Sequence, residues 1–577
     1  MLDYRLWAFA VLPLLARSQC PQVQTPCVCA PSVYEPVSIV CDNAGSLQNA
    51  LRAIENARSV QIDSLTFSNT PIQRLPASSF VGLTVIRLVL NKNGLTDIDN
   101  NAFEGSLQDS LLELDLQDNQ LSQIPLNGVA RLRNLRKLYL GKNRISSVPP
   151  TAFSSYASRE MLLKLDLSQN SITDSSMSSP AVFQALRNLE ELSLEANSLK
   201  IIPTMALASL RRTLKDLNLG LNSISEVPVS VLDFPNLESL SLEFNSISFI
   251  RPEAFRGVPN LLYLYITGNK FQQWQPEMFR YIGNLKILGI GETPITVIPS
   301  DAFQYIPSLI RLEMSEAAVD TIQEGAFQRT SDIQAIILNK NRLTRIRADM
   351  FQGLSKLYTL DLQGNRLSAV DDFAFANLPA LRHLDISNNQ LRTVPQGTFQ
   401  NTFLPTTDAR VLYLCRNPWV CDSSLDWFRS YLRQNLDIEI DKPNCQSVCD
   451  QPGWFPPNWP LRNPDPPSTV APTSTPLPVT GAAVSTIGWI ILAIILSILI
   501  TSICLLAFVR YFVSRKHKKD KDDEAEEEER IVSSAASAYN PAKSVISSQY
   551  PVYPASAVDL DLPPATTLDD RPSYWAY

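Results

Sequence analysis

Cysteine is the residue type most able to do chemistry in this chain. Cys20, Cys27, Cys29 and Cys41 stand near the N-terminus, Cys415, Cys421, Cys445 and Cys449 form a second group of four, and Cys504 lies alone in an apolar stretch. Thiols gathered in fours either pair as disulfides or hold zinc. Just before them, Arg5, the apolar run Leu6 to Leu15 and the small residues Ala16 and Ser18 predict a secretory leader over residues 1–18. An oxidising compartment favours disulfides, and each group of four allows three pairings. Other chemistry is thin. Histidine occurs only as His383 and His517. No nucleophile has a paired histidine, no spacing fits a metal, and no glycine-rich loop fits a phosphate. We therefore expect no enzyme activity, no cofactor and no metal. A net charge of −7 also argues against nucleic acid as a partner.

The elements that carry these groups follow a long period. Phe255, Phe279, Phe303, Phe327, Phe351, Phe375 and Phe399 are each separated by 24 residues. No single helix or strand has that period, whereas a stacked repeat does. One unit reads Leu237, Leu240, Leu242, Asn245, then Ile247 and Ile250; another reads Leu357, Leu360, Leu362, Asn365, then Leu367 and Val370. Fifteen units align on their ninth positions: Thr70, Asn93, Asn119, Asn143, Asn170, Asn197, Asn222, Asn245, Asn269, Thr293, Ala317, Asn341, Asn365, Asn389 and Asn417, in steps of 23 to 28 residues. The pattern resembles leucine-rich repeats. It implies an α/β-type horseshoe solenoid: a parallel concave sheet, an irregular or 3-10 convex side, and a phenylalanine filling each coil. Thr293 and Ala317 replace the turn asparagine, so the turn should be looser or water-filled there. The extra residues Asp174 to Ser179 should sit away from the strands.

In chain order, residues 1–18 read as signal peptide, 19–58 as an N-terminal cysteine cap, 59–414 as the repeats and 415–450 as a C-terminal cysteine cap. Caps are needed because the end coils would otherwise expose an apolar face and an open sheet edge. Residues 451–486 hold ten prolines with Ser and Thr, the composition of a stalk. Residues 487–509 are uncharged, long enough for a transmembrane helix, and Arg510, Arg515, Lys516, Lys518 and Lys519 follow directly. That places the repeats outside a plasma membrane as a single-pass type I protein. Residues 510–577 read as a disordered cytoplasmic tail. Its Tyr539, Tyr550, Tyr553 and Tyr574 are candidate phosphotyrosine sites for an adaptor, and Trp575-Ala576-Tyr577 is a candidate PDZ ligand.

Projecting the non-core positions of each strand maps the concave face. Units two to five carry Arg87, Lys92, Arg136, Lys137, Lys142 and Lys164; the next units carry Glu190, Glu191, Glu195, Asp216, Glu238 and Glu243. Beside the acid come Leu221, Phe244, Tyr263, Tyr265 and Ile287. Large apolar residues at exposed positions mark a contact patch, and with Glu243 they are our candidate ligand contacts. No Asn-x-Ser/Thr sequon occurs in residues 19–486, so N-linked sugar should shield neither face, and either face could form a homodimer.

The caps carry a further resemblance. Cys20 to Cys41, and Asn417-Pro418-Trp419-Val420-Cys421-Asp422 with Leu425-Asp426-Trp427-Phe428, resemble the flanks of extracellular leucine-rich-repeat proteins. That resemblance implies Cys20–Cys29 and Cys27–Cys41. In the second flank Ser423 stands where the family has a cysteine, which leaves the pairing open, with Cys415 as the replacement partner. One array, one span and a short tail, together with Ile39 to Asn43 and Leu47 to Phe80, look like the repeat-only membrane proteins of nematodes and arthropods. The resemblance implies a cell-surface receptor or adhesion protein in development that binds a protein ligand. The alternative is a membrane-anchored organiser of extracellular matrix or cell contact, with a role in moulting or fertility and little signalling.

Overall fold

The computed structural model describes residues 20–126, 128–450 and 458–465. Expectations for the leader (1–18), the span (487–509) and the tail tyrosines, Trp575 and Tyr577 fall outside them. Among the described residues, no helix is long and apolar enough to cross a membrane.

Each unit folds as its leucines dictate. Leu237, Leu240 and Leu242 are fully buried, and the strand between them is three residues long, Ser239–Ser241. It is short because the side chains on both sides of Leu240 must face outward before the chain turns. Parallel pairing joins each strand to the next: Ser239↔Tyr263, Tyr263↔Ile287, Ile287↔Arg311 and Arg311↔Ala335. The result is an 18-stranded sheet. Its N-terminal edge is closed by an antiparallel pair, Cys27–Cys29 with Ser38–Asp42. Its last strand is Ile438–Glu439, beside Arg410–Tyr413. The convex side is built from short 3-10 turns such as Pro252–Phe255 and Pro276–Phe279, and from two-residue strands such as Val297–Ile298 with Thr321–Ile322. Asp174–Met177 forms a 3-10 turn after its strand, and the Asp174 carboxylate accepts the Lys200 and Ile201 amides.

The phenylalanines stack into a spine. Centroids lie 5.2 Å apart for Phe303–Phe327, 6.1 Å for Phe327–Phe351, 6.4 Å for Phe351–Phe375 and 5.8 Å for Phe375–Phe399. Trp274 packs beside both Phe279 and Phe303.

A second spine is the asparagine ladder. Asn245 donates its amide to the carbonyls of Leu219, Leu242 and Glu243 at 3.0–3.1 Å, and its carbonyl accepts the Ile224 amide at 2.9 Å. Each such side chain thus stitches its own turn to the preceding coil. The residue before every ninth position is left-handed, from Asn69 at φ 48° to Arg416 at φ 56°. Thr293 keeps one bond, to Ile290 O at 3.3 Å. The looser turn expected there does not form. Thr293 and Ala317 are buried, Glu292 and Glu316 keep the left-handed turn, and the sheet runs through both coils. Strand pairing and the apolar spine hold the coil pitch without the amide.

Four disulfides staple the ends: Cys20–Cys29, Cys27–Cys41, Cys415–Cys445 and Cys421–Cys449. The C-terminal cap packs Trp419, Phe428 and the helix Asp426–Gln434 against the last coil. Residues beyond the boundary expected at 450 also pack on this cap. Leu461 is fully buried, the Cys449 amide bonds to Trp459 O, and the buried Arg429 guanidinium reaches Asn463 O at 2.8 Å and Asp465 at 2.5 Å. A buried cation must be paired, and residues 458–465 supply the partners.

Candidate binding face on the concave sheet

The concave register decides which side chains meet. Tyr263 and Tyr265 flank the buried Leu264 on one strand, so both face outward. Ser239 and Ser241 lie beside them on one side, Ile287 and Gly289 on the other. These neighbours are mostly small, which leaves the tyrosine rings room. A Cβ on Gly289 would lie 3.1 Å from the Tyr265 ring. Leu221 and Phe244 occupy the left-handed position of their units, at φ 53° and 50°. Non-glycine residues pay about 1–2 kcal/mol there. That turn throws the side chain out of the coil: Leu221 is 44% and Phe244 41% exposed. The Phe244 ring lies over Gly268, where a Cβ would collide with it. The predicted contacts therefore sit on four successive coils, with Leu221 and Phe244 exposed and Tyr263, Tyr265 and Ile287 half-buried.

Glu243 stands among them. Burial, with repulsion from Glu313, Glu195 and Glu292, pushes its carboxyl up to about 7, although Thr267 donates a hydrogen bond to it. Burial also raises Glu195, which accepts from Asn218 at 2.9 Å, and Glu292. Further along the face, burial pushes Asp115 and Asp361 up to about 6. His383 is held below its ordinary value by burial and packs edge-on to Tyr413 at 5.5 Å.

Sequence reasoning missed how the caps meet this face. Glu35, from the N-terminal cap, reaches Arg87 at 3.3 Å, and Arg87 also pairs with Glu113 at 2.9 Å. Lys442, from the C-terminal cap, pairs with Asp385, bonds to Gln363 at 2.9 Å and lies 5.0 Å from the Tyr413 ring centre. Its closeness in sequence to Cys445, tethered to Cys415, was the available signal. Also missed were Ile201, Met205, Val229 and Phe249, exposed outside the sheet. Ile201 and Phe249 fall four residues after the turn asparagine, where other units carry Gln123, Glu226 and Gln273.

A solenoid with one open, side-chain-rich parallel sheet is a scaffold for binding along its length. Residues 84–145, 133–199, 212–271, 283–343, 317–367, 331–391 and 355–402 match the family described as leucine rich repeat, together just over half of the chain. The chain belongs to the leucine-rich-repeat family. It is 34% identical over 235 residues to keratocan of Gallus gallus, covering 40% of this chain and 60% of that one. It is 32% identical over 196 residues to lumican of Gallus gallus, covering 32% of this chain and 53% of that one. The chain thus spans 60% or less of the length of these curated relatives. A leucine-rich-repeat protein of Leptospira interrogans shares the fold, with TM-score 0.51, 24% identity, and 68% of this chain and 98% of that chain covered. The likeness of Ile39 to Asn43 and Leu47 to Phe80 to the nematode P-granule-associated novel protein is not supported by these relatives.

Proposed function

We propose that the chain is a recognition protein of the cell surface, anchored by residues 487–509, whose concave face binds a protein ligand or matrix component. The observation that carries this is the aromatic patch of Phe244, Tyr263 and Tyr265. Rings of that size are normally core, yet here they line an open sheet beside half-buried carboxylates. Aromatic anchors in a partly desolvated setting are the residues that dominate protein interfaces. The four disulfides support an oxidising, extracellular setting for this face. The face acts by binding, with no catalytic step.

Cells displaying the full-length chain should adhere to cells or matrix that control cells ignore. Deletion of residues 510–577 then separates two forms of the proposal. A receptor loses its downstream response, whereas an organiser of matrix or cell contact keeps its whole effect. Absence of any adhesion would overturn both.

A further inference from the structure

Ion pairing along the concave sheet is uneven. At the N-terminal end several cations are used internally: Arg87 by Glu35 and Glu113, Lys142 by Asp118 at 2.6 Å, and Lys164 by Glu191 at 2.8 Å. At the C-terminal end Lys442 is held by Asp385, and Lys340 by Glu316 at 2.5 Å. Much of the cationic charge at both ends is thus used, partly by the caps themselves. The centre differs. Among the described residues, no Lys or Arg forms a salt bridge with Glu195 or Glu243, and the only cationic charge Glu292 feels is that of Lys340, which Glu316 already holds. The nearby Arg311 is already committed to Glu313 at 2.5 Å. The aromatic patch lies along the same coils, with Phe244 adjoining Glu243 in sequence and Tyr265 facing the same side of the sheet.

Resting on the reading of this face as the recognition site, we propose that its occupant is an extended segment of a partner protein bearing lysine or arginine. The segment's apolar parts lie on Leu221, Phe244, Tyr263 and Tyr265, and its cation is set against Glu195, Glu243 and Glu292. Charge complementarity selects this occupant. A cation both relieves the repulsion among the three carboxylates and gains the faces of the adjacent rings. A neutral or acidic segment would cover half-buried Glu195 and Glu243 with no counter-charge beyond the hydrogen bonds from Asn218 and Thr267.

The test uses purified full-length chain and a fluorescein-labelled decalysine peptide, with decaglutamate as control, followed by fluorescence anisotropy. Two triple variants are compared, each removing the same charge: Glu195→Gln/Glu243→Gln/Glu292→Gln on the concave face, and Glu104→Gln/Glu253→Gln/Glu324→Gln outside it. Circular dichroism checks that both fold. The proposal expects decalysine to bind and decaglutamate not to. It expects the concave variant to weaken decalysine at least about tenfold, and the other variant to stay within about twofold. Equal weakening by both variants, or no preference for decalysine, would overturn it. A separate arm protects the parent reading. If adhesion of the displayed chain is lost in Phe244→Gly/Tyr263→Ala/Tyr265→Ala but unchanged in the concave carboxamide variant, the recognition site stands and the cationic ligand falls.

Discussion

Replacing Asn245 by alanine isolates what the turn amide contributes. Three carbonyls lose its donated bonds, yet each keeps another partner. Leu219 O keeps the Asn222 amide at 3.1 Å, Leu242 O keeps that of Asn269 at 2.9 Å, and Glu243 O keeps the Leu221 N–H at 2.8 Å. The Ile224 N–H is different. Its acceptor is the Asn245 carbonyl, and Ile224 is fully buried. An orphaned buried donor costs about 1–3 kcal/mol, and the weaker carbonyl bonds bring the expected loss to about 2–3 kcal/mol. Because a solenoid couples mainly neighbouring coils, the loss should appear locally. Hydrogen exchange of the full chain should show the Ile224 amide opening roughly 30- to 150-fold more often in Asn245→Ala. The converse change, Ala317→Asn, offers an acceptor to Ile295 in a coil that lacks one, and should stabilise by about 1 kcal/mol. If Ile224 stays as protected in Asn245→Ala as in the wild type, the turn amide adds nothing to the junction between these coils.

Other predictions follow from the same structure. Phe303→Ala removes a fully buried ring stacked on Phe327 and packed against Trp274, and should cost about 3–5 kcal/mol in urea denaturation, with unfolding centred on the adjoining coils. Reducing the disulfides should expose the capped ends first, so limited proteolysis should cut near Cys41 and Cys421 before it cuts the central repeats. Glu243 has a folded pKa of about 7 against an ordinary 4.5, so the native state holds its proton more tightly than the unfolded chain. Stability from this group is therefore present below pH 4.5 and is lost as pH rises through about 7. Glu243→Gln should raise Tm at pH 8 and flatten its change between pH 5 and 8. Phe244→Gly removes a ring where the backbone already suits glycine, and so should leave Tm nearly unchanged while weakening adhesion.

Much of this was legible from the sequence because the repeat forces it. Leucines at a fixed spacing can be satisfied only by stacking, and a phenylalanine every 24 residues has one place to go. The outward residues on each strand followed from that register, which is why Tyr263, Tyr265 and Ile287 could be named. What escaped depends on loops rather than period. The reach of Glu35 and Lys442 onto the face depends on how each cap loop closes. The return of residues 458–465 onto Arg429 depends on a tertiary need for a charge partner, and proline-rich composition concealed it. The turns at Thr293 and Ala317 show the opposite error. Strand pairing and packing hold those coils in place where the asparagine is missing.

Adhesion of cells displaying the full-length chain, compared with Phe244→Gly/Tyr263→Ala/Tyr265→Ala, tests the concave face most directly. The variant should reach the surface, fold and no longer adhere. Undiminished adhesion by that variant, with loss in Ile201→Ser/Met205→Ser/Val229→Ser/Phe249→Ser, would place recognition outside the concave sheet and contradict it.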